Sequence, residues 1–313
     1  MNIEKIINDI VWYIPFKKLR NSLREYMLLN LNKEQKNEIE PIVPIEPIVP
    51  IGHYESPYPP REEILKGYND YIKNEYNFYG LDMNDEKQLD FYNKIKVYFN
   101  DFDFSEHNED SENYRFYYNN AWYGYGCALY LFSIINHIKP KKIIEIGSGF
   151  STALILDIND KKFDNKINIT SIEPRAERLK SLLRKEDNIK IIETNQQDIA
   201  IELFSTLQEN DLLFIDSSHV CRPFSDVNRQ FFEILPNLNK GVVIHLHDVI
   251  NPFEYPQVWV LEQRRAYNEA YILRAFLQYN DAFEILCFPS YLKYKYPNIV
   301  DTVSNSIYLK KVK

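Results

Sequence analysis

Short β-branched and aliphatic runs, separated by longer amphipathic stretches, organise the second half of this chain. Ile143, Ile144 and Ile146 form the first run, apolar on successive positions as strands buried on both faces are. Similar runs recur at 168–173, 188–193, 211–216 and 241–248. Between them lie stretches with helical spacing, including 153–157, 175–185 and 224–235. Regular strand–helix alternation predicts an open parallel sheet covered on both faces, an α/β fold. Two further strands, 283–288 and 306–310, are expected to close that sheet as an antiparallel pair. Upstream, 62–138 reads as mainly helical, with an aromatic-rich stretch at 114–122 and a helix over 128–138 leading into the first strand. The aromatic residues there suit a core, and a lid over a ligand would use them equally well. The pattern divides the chain into a helical extension with a proline-rich linker (1–51), a helical and aromatic region (52–138) and a ligand-binding α/β domain (139–313).

In an open parallel sheet, ligands bind at the carboxyl ends of the strands, and polar residues gather there. The first strand runs into Gly147-Ser148-Gly149, and Ser151-Thr152 open the following helix. Glycines at such a turn let the backbone approach a ligand beneath free helix N–H groups. A dinucleotide loop, G-x-G-x-x-G, would need a third glycine where Thr152 stands. Glu145, two residues before Gly147, is a poor neighbour for a pyrophosphate and a good one for an ammonium group. Glu173 ends the second strand, 28 residues after Glu145, where a carboxylate can accept both hydroxyl hydrogens of a ribose. Gln197 and Asp198 follow the third strand, Asp216-Ser-Ser-His219 the fourth, and His245-Leu-His247-Asp248 ends the fifth. Three of the six histidines lie in the last two segments, beside carboxylates. Period 2 places His245 and His247 on one face of their strand.

Together these residues carry a family resemblance. From about Gly52 to Lys310 the chain resembles class I S-adenosylmethionine-dependent methyltransferases, of the small-molecule type found with bacterial sugar-modifying enzymes. The matching features are the opening Gly-His-Tyr-x-Ser-Pro, then Ile-Glu-Ile-Gly-Ser-Gly-Phe-Ser-Thr, Phe-Ile-Asp-Ser-Ser-His, His-Leu-His-Asp, and the segment beginning Asn268-Glu-Ala-Tyr. The resemblance implies a Rossmann-like sheet of seven strands whose last pair is antiparallel, preceded by a helical extension. It implies that Glu145, Gly147, Ser148, Gly149, Ser151 and Thr152 hold the methionine part of S-adenosylmethionine, with Glu173 on the ribose. Gln197 and Asp198 would meet the adenine, and Asp216 would border the cofactor. Related sugar O-methyltransferases bind a divalent metal with carboxylates at the fourth and fifth strand ends. By position the ligands are Asp216, His247 and Asp248, and imidazole in that set favours iron, manganese or zinc over magnesium. The implied reaction is O-methylation of a sugar hydroxyl, with His219, His247 and Asp248 as the catalytic groups. His219 is the first choice of base, because a histidine titrates near neutral pH. The alternatives are O-methylation of another small metabolite, a nicotinamide oxidoreductase disfavoured by Thr152 and Glu145, and a non-catalytic subunit keeping only the fold.

Charge and composition narrow the partners. With 37 basic and 45 acidic residues the net charge is −8, which leaves no basic footprint for a nucleic-acid polymer. The resemblance implies a small sugar substrate instead, nucleotide-activated or linked to a lipid or glycan, used in building capsule or lipooligosaccharide. The three cysteines, Cys127, Cys221 and Cys287, are isolated and odd in number, so a reducing cytoplasm is expected rather than a disulfide framework. Near the amino terminus, 6–31 mixes apolar residues with Lys17, Lys18, Arg20 and Arg24. Such a helix suits either peripheral membrane contact or packing on the body or a second subunit, and a homo-oligomer is expected. The tandem Glu-Pro-Ile-Val-Pro-Ile at 40–51 favours an extended, stiff linker.

Overall fold

Every run that alternates with a helical stretch in the sequence becomes a strand of one seven-stranded sheet in the computed structural model. The structure describes Leu23, residues 50–71 and residues 76–313. The expectations for 6–31 (Leu23 apart) and for the proline-rich repeat as far as residue 49 lie outside those residues. Ile51–Lys313 form one compact unit.

The strands are β1 (Lys142–Ile146), β2 (Asn168–Ile172), β3 (Lys190–Ile192), β4 (Leu212–Ile215), β5 (Val243–His247), β6 (Phe283–Cys287) and β7 (Ser306–Lys311), in the spatial order β3-β2-β1-β4-β5-β7-β6. The first five are parallel, and β7 pairs antiparallel with both β5 and β6. The central strands β4 and β5 are buried at every position, whereas the edge strand β6 alternates between buried and half-buried. Strand β3 is shorter than its apolar run, and Lys190 is exposed at that edge, a usual way of blunting it.

Alternation along β1 sends Ile144 and Ile146 into one core layer and Ile143 into the other. The layer holding Ile143 is built from α3 (Tyr125–Ile138) and α4 (Phe150–Phe163), which follow α1 (Arg61–Tyr71) and α2 (Asp85–Lys96). The opposite layer packs on the segments after β4 and β5. These contain α6 (Asp226–Arg229), which continues as a π-helical turn at Gln230–Ile234, then α7 (Gln257–Leu261) and α8 (Glu269–Leu277). The short α5 (Glu177–Leu182) and α9 (Pro289–Lys295) complete the fold. Within 62–138 the region is less helical than expected, because 102–124 is irregular apart from the short turn Asn108–Asp110.

Register is what builds the site. Ile146 lies beside Ile172 and Ile215, and Ile215 beside Leu246. The next residue on each strand therefore falls in one row at the carboxyl edge: Gly147, Glu173, Asp216 and His247.

Candidate active site

Gly147 has φ +78°, and a Cβ there would stand 1.7 Å from the carbonyl oxygen of Asp216. No larger residue fits, so the turn after β1 rests directly on the end of β4. The Glu173 carboxylate accepts hydrogen bonds from Ser148 N (3.2 Å) and Arg175 N (2.8 Å), tying the β1 and β2 loops together. A cavity of about 870 Å³ opens over this row, lined by Gly147, Ser148, Glu173, Asp216, Ser217, His219, His247 and Asp248. A second, of about 710 Å³, shares Gly147, Glu173, Asp216 and Ser217 and extends to Gln197 and Phe224.

Glu145 is placed differently from the expectation. It is fully buried and absent from both cavity walls, and its two oxygens accept the hydroxyls of Ser151 (2.7 Å) and Thr152 (2.6 Å). Thr152 Oγ1 in turn accepts Gly149 N at 3.1 Å. The cause is simple, since alternation along β1 points Glu145 into the same layer as Ile143. Glu145, Ser151 and Thr152 thus fasten the first turn of α4. Burial pushes the Glu145 carboxyl up to about 8, against the lowering effect of those two hydroxyls. Asp198 likewise stands outside both walls, while Gln197 lines the second.

Asp216, His219, His247 and Asp248 do converge. His219 Nε2 is 3.1 Å from Asp216 Oδ1 and 3.8 Å from Asp248 Oδ2. His247 Nδ1 is 3.4 Å from Asp216 Oδ1 and 3.5 Å from Asp248 Oδ1. Both His219 and Asp248 adopt left-handed backbone conformations, which turn their side chains out of the strand direction and into the cavity. His245, on the same face as His247, is buried instead, stacked on Phe214 at 4.0 Å and bonded to Ser306 at 2.9 Å.

Glu269, at the start of α8, is a partner of His219 that no motif announces. Its carboxylate meets His219 Nδ1 at 2.8 Å, and the backbone amides of Asn268 and Glu269 donate to the His219 carbonyl. No local spacing links positions 219 and 269. A signal was nonetheless present, since Glu269 shares the i, i+4, i+8 face of Leu273 and Leu277 and so had to be buried. With Asp216 on one side and Glu269 on the other, each ring nitrogen of His219 has a carboxylate within reach. Burial alone would lower its pKa, but Asp216 and Glu269 outweigh that and raise it to about 10. The expectation of a histidine titrating near neutrality is corrected on that ground. The same pairing, with His247, holds the Asp216 carboxyl well below the usual range against the effect of burial.

Two further features bear on what the site can hold. Asp216, His219 and His247 each offer an atom within 4.8 Å of the others, a potential metal-binding set that includes His219 and leaves Asp248 out. Ser148 Oγ, His247 Nδ1 and Glu269 Oε1 are buried without a hydrogen-bond partner. Ser148 and His247 line the chamber, and an unpaired buried polar atom is costly, so the Ser148 hydroxyl suits a ligand there. The chamber's mouth carries Trp122, with the Arg178 guanidinium 3.6 Å from its ring centre, and Arg265, which lies over Trp259 and 3.5 Å from Asp248.

The family profile described as "Methyltransferase domain" matches residues 144–249. An uncharacterized protein of Archaeoglobus fulgidus is 34% identical over 162 residues, covering 51% of this chain and 73% of that protein. Among solved structures, the Podospora anserina methyltransferase PaMTH1, bound to S-adenosylhomocysteine, is 15% identical with a TM-score of 0.42, covering 86% of this chain and 100% of that one. The apo structure of CmcI is 15% identical with a TM-score of 0.40, covering 61% of this chain and 72% of its own.

Proposed function

We propose that this chain, which belongs to the class I S-adenosylmethionine-dependent methyltransferases, methylates a sugar hydroxyl. The observation that carries the reading is one chamber holding both the Gly147–Glu173 row and the Asp216, His219, His247 and Asp248 cluster. S-adenosylmethionine would lie along that row, with its ribose hydroxyls donating to Glu173 and its adenine directed toward Gln197. The acceptor oxygen then approaches the methyl carbon in line with the carbon–sulfur bond. As the oxygen–carbon bond forms, the carbon–sulfur bond breaks and its electron pair stays on sulfur, giving neutral S-adenosylhomocysteine. The hydroxyl proton must leave in the same event. His219 has both nitrogens engaged, Nδ1 with Glu269 and Nε2 with Asp216, and is not free to take it. Asp248, at the cavity wall and 3.5 Å from Arg265, is the acceptor in this reading.

A divalent metal fits the donor set of Asp216, His219 and His247. In support, the Glu269 carboxylate holds His219 Nδ1, so that Nε2, on giving up its proton, would be left to the ion, the usual arrangement behind a metal-binding imidazole. When bound, such an ion lowers the pKa of a coordinated hydroxyl. Two imidazoles favour iron, manganese or zinc over magnesium.

The test is a methyl-transfer assay with isotopically labelled S-adenosylmethionine, run on free sugars, nucleotide sugars, short glycans and non-sugar alcohols, with mass spectrometry of the products. Label on a sugar oxygen is expected. Asp248→Asn should lower turnover by about 100-fold or more while cofactor affinity stays near wild type. Label found only on non-sugar alcohols would reject the sugar reading, and full turnover by Asp248→Asn would reject the base.

A further inference from the structure

A third cavity, of about 550 Å³, adjoins the reaction chamber and shares Arg265 and Tyr267 with it. That size is within the range of small-ligand sites. Its walls come from α1 and the segment before it, and from the chain between Glu254 and Tyr271. Tyr58, Tyr68, Tyr255, Tyr267 and Tyr271 all line it. Tyr267 is the dividing wall: its ring lies 4.6 Å from that of His219 and 5.7 Å from that of Tyr255.

We infer that this cavity binds a second sugar ring of the acceptor, so that the substrate is a glycan of at least two residues. The inference rests on the sugar reading above and narrows it. Tyrosine faces suit the C–H faces of a pyranose, and carboxylates suit its hydroxyl donors. The charged residues lining the cavity are Glu63, Glu254 and Arg265. Arg265 lies 3.5 Å from Asp248, and Glu254 accepts the Tyr271 hydroxyl. This balance repels a diphosphate and accepts a neutral polyol, which favours a glycan over a nucleotide-activated monosaccharide. A substrate lying across Tyr267 would present one ring to the Asp216–Asp248 cluster and the next to the tyrosine walls.

The experiment is a binding panel of mono-, di- and trisaccharides and nucleotide sugars, measured on the full chain saturated with S-adenosylhomocysteine. The disaccharide that binds is expected to do so at least tenfold more tightly than either of its component monosaccharides or their nucleotide forms. In Tyr271→Ala and in Tyr58→Ala, from opposite walls, that advantage should shrink about tenfold. Equal affinity for the monosaccharide, tighter binding of the nucleotide form, or an advantage unchanged in both variants would overturn the second subsite while leaving the sugar reading in place. If no carbohydrate of any length binds, the sugar reading itself fails, and this inference with it.

Discussion

Glu145 lies within β1, opposite Ser171, and Glu173 lies just past the end of β2, and the packing gives the two carboxylates opposite chemistry. Glu173 is open to both cavities, so its carboxylate is available to a ligand. Glu173→Ala should weaken binding of S-adenosylhomocysteine by about 1.5–3 kcal/mol, the scale of hydrogen bonds to a charged group. Calorimetry giving the wild-type affinity would move the ribose elsewhere. Glu145 is enclosed, with its pKa raised to about 8 by burial. Between an unfolded value of about 4.3 and that folded value, the native state holds a proton the unfolded chain has released. Its contribution to stability is therefore complete below about pH 4.3 and is lost as pH rises through about 8. Glu145→Gln keeps an acceptor for Ser151 and Thr152 but has no proton to lose. Urea unfolding at several pH values should show wild type losing more stability than the variant from pH 5 to 8. Parallel pH profiles would assign the loss to other groups.

At the scale of elements, Arg115 is the main tie between the irregular 102–124 segment and the sheet domain. Its buried guanidinium pairs with Asp157 and Asp160 on α4 and with Asp187 ahead of β3, and its backbone N–H also donates to Asp157. One arginine thus helps to fix the segment that carries Tyr118 and Trp122 to the chamber wall. Arg115→Met fills the same space but leaves buried carboxylates without a counter-charge, and should cost about 3–5 kcal/mol. A change below about 1 kcal/mol in urea unfolding would show that the segment is held by its aromatic packing alone. On the opposite side, Gly126 in α3 lets the helix press against the Val303 carbonyl, where a Cβ would come within 1.9 Å. That approach sets residues 303–305 into the chamber wall.

For the whole molecule, the potential metal set draws on the loop after β4 and the end of β5, while α8 steadies His219 from behind. An ion held there would link parts that are far apart in sequence and so stabilise the folded chain as a whole. Iron(II), manganese(II) or zinc(II) should raise the thermal midpoint more than magnesium does, and His247→Ala should remove the increase. Midpoints unmoved by every ion, with no metal in elemental analysis of active protein, would decide for a metal-free site. The order of strands and helices, the glycine turn after β1, and the placing of Glu173, Asp216, His247 and Asp248 near strand ends were all legible in the sequence. Periodicity and glycine chemistry act over a few residues, and the parallel pairing of the first five strands follows from the crossovers between them. The role of Glu145, the proton held on His219, the partnership of Glu269 and the tyrosine-walled cavity beside the chamber were decided only by tertiary structure. Each depends on which groups from distant parts of the chain share a low-dielectric space, and no local pattern of residues specifies that.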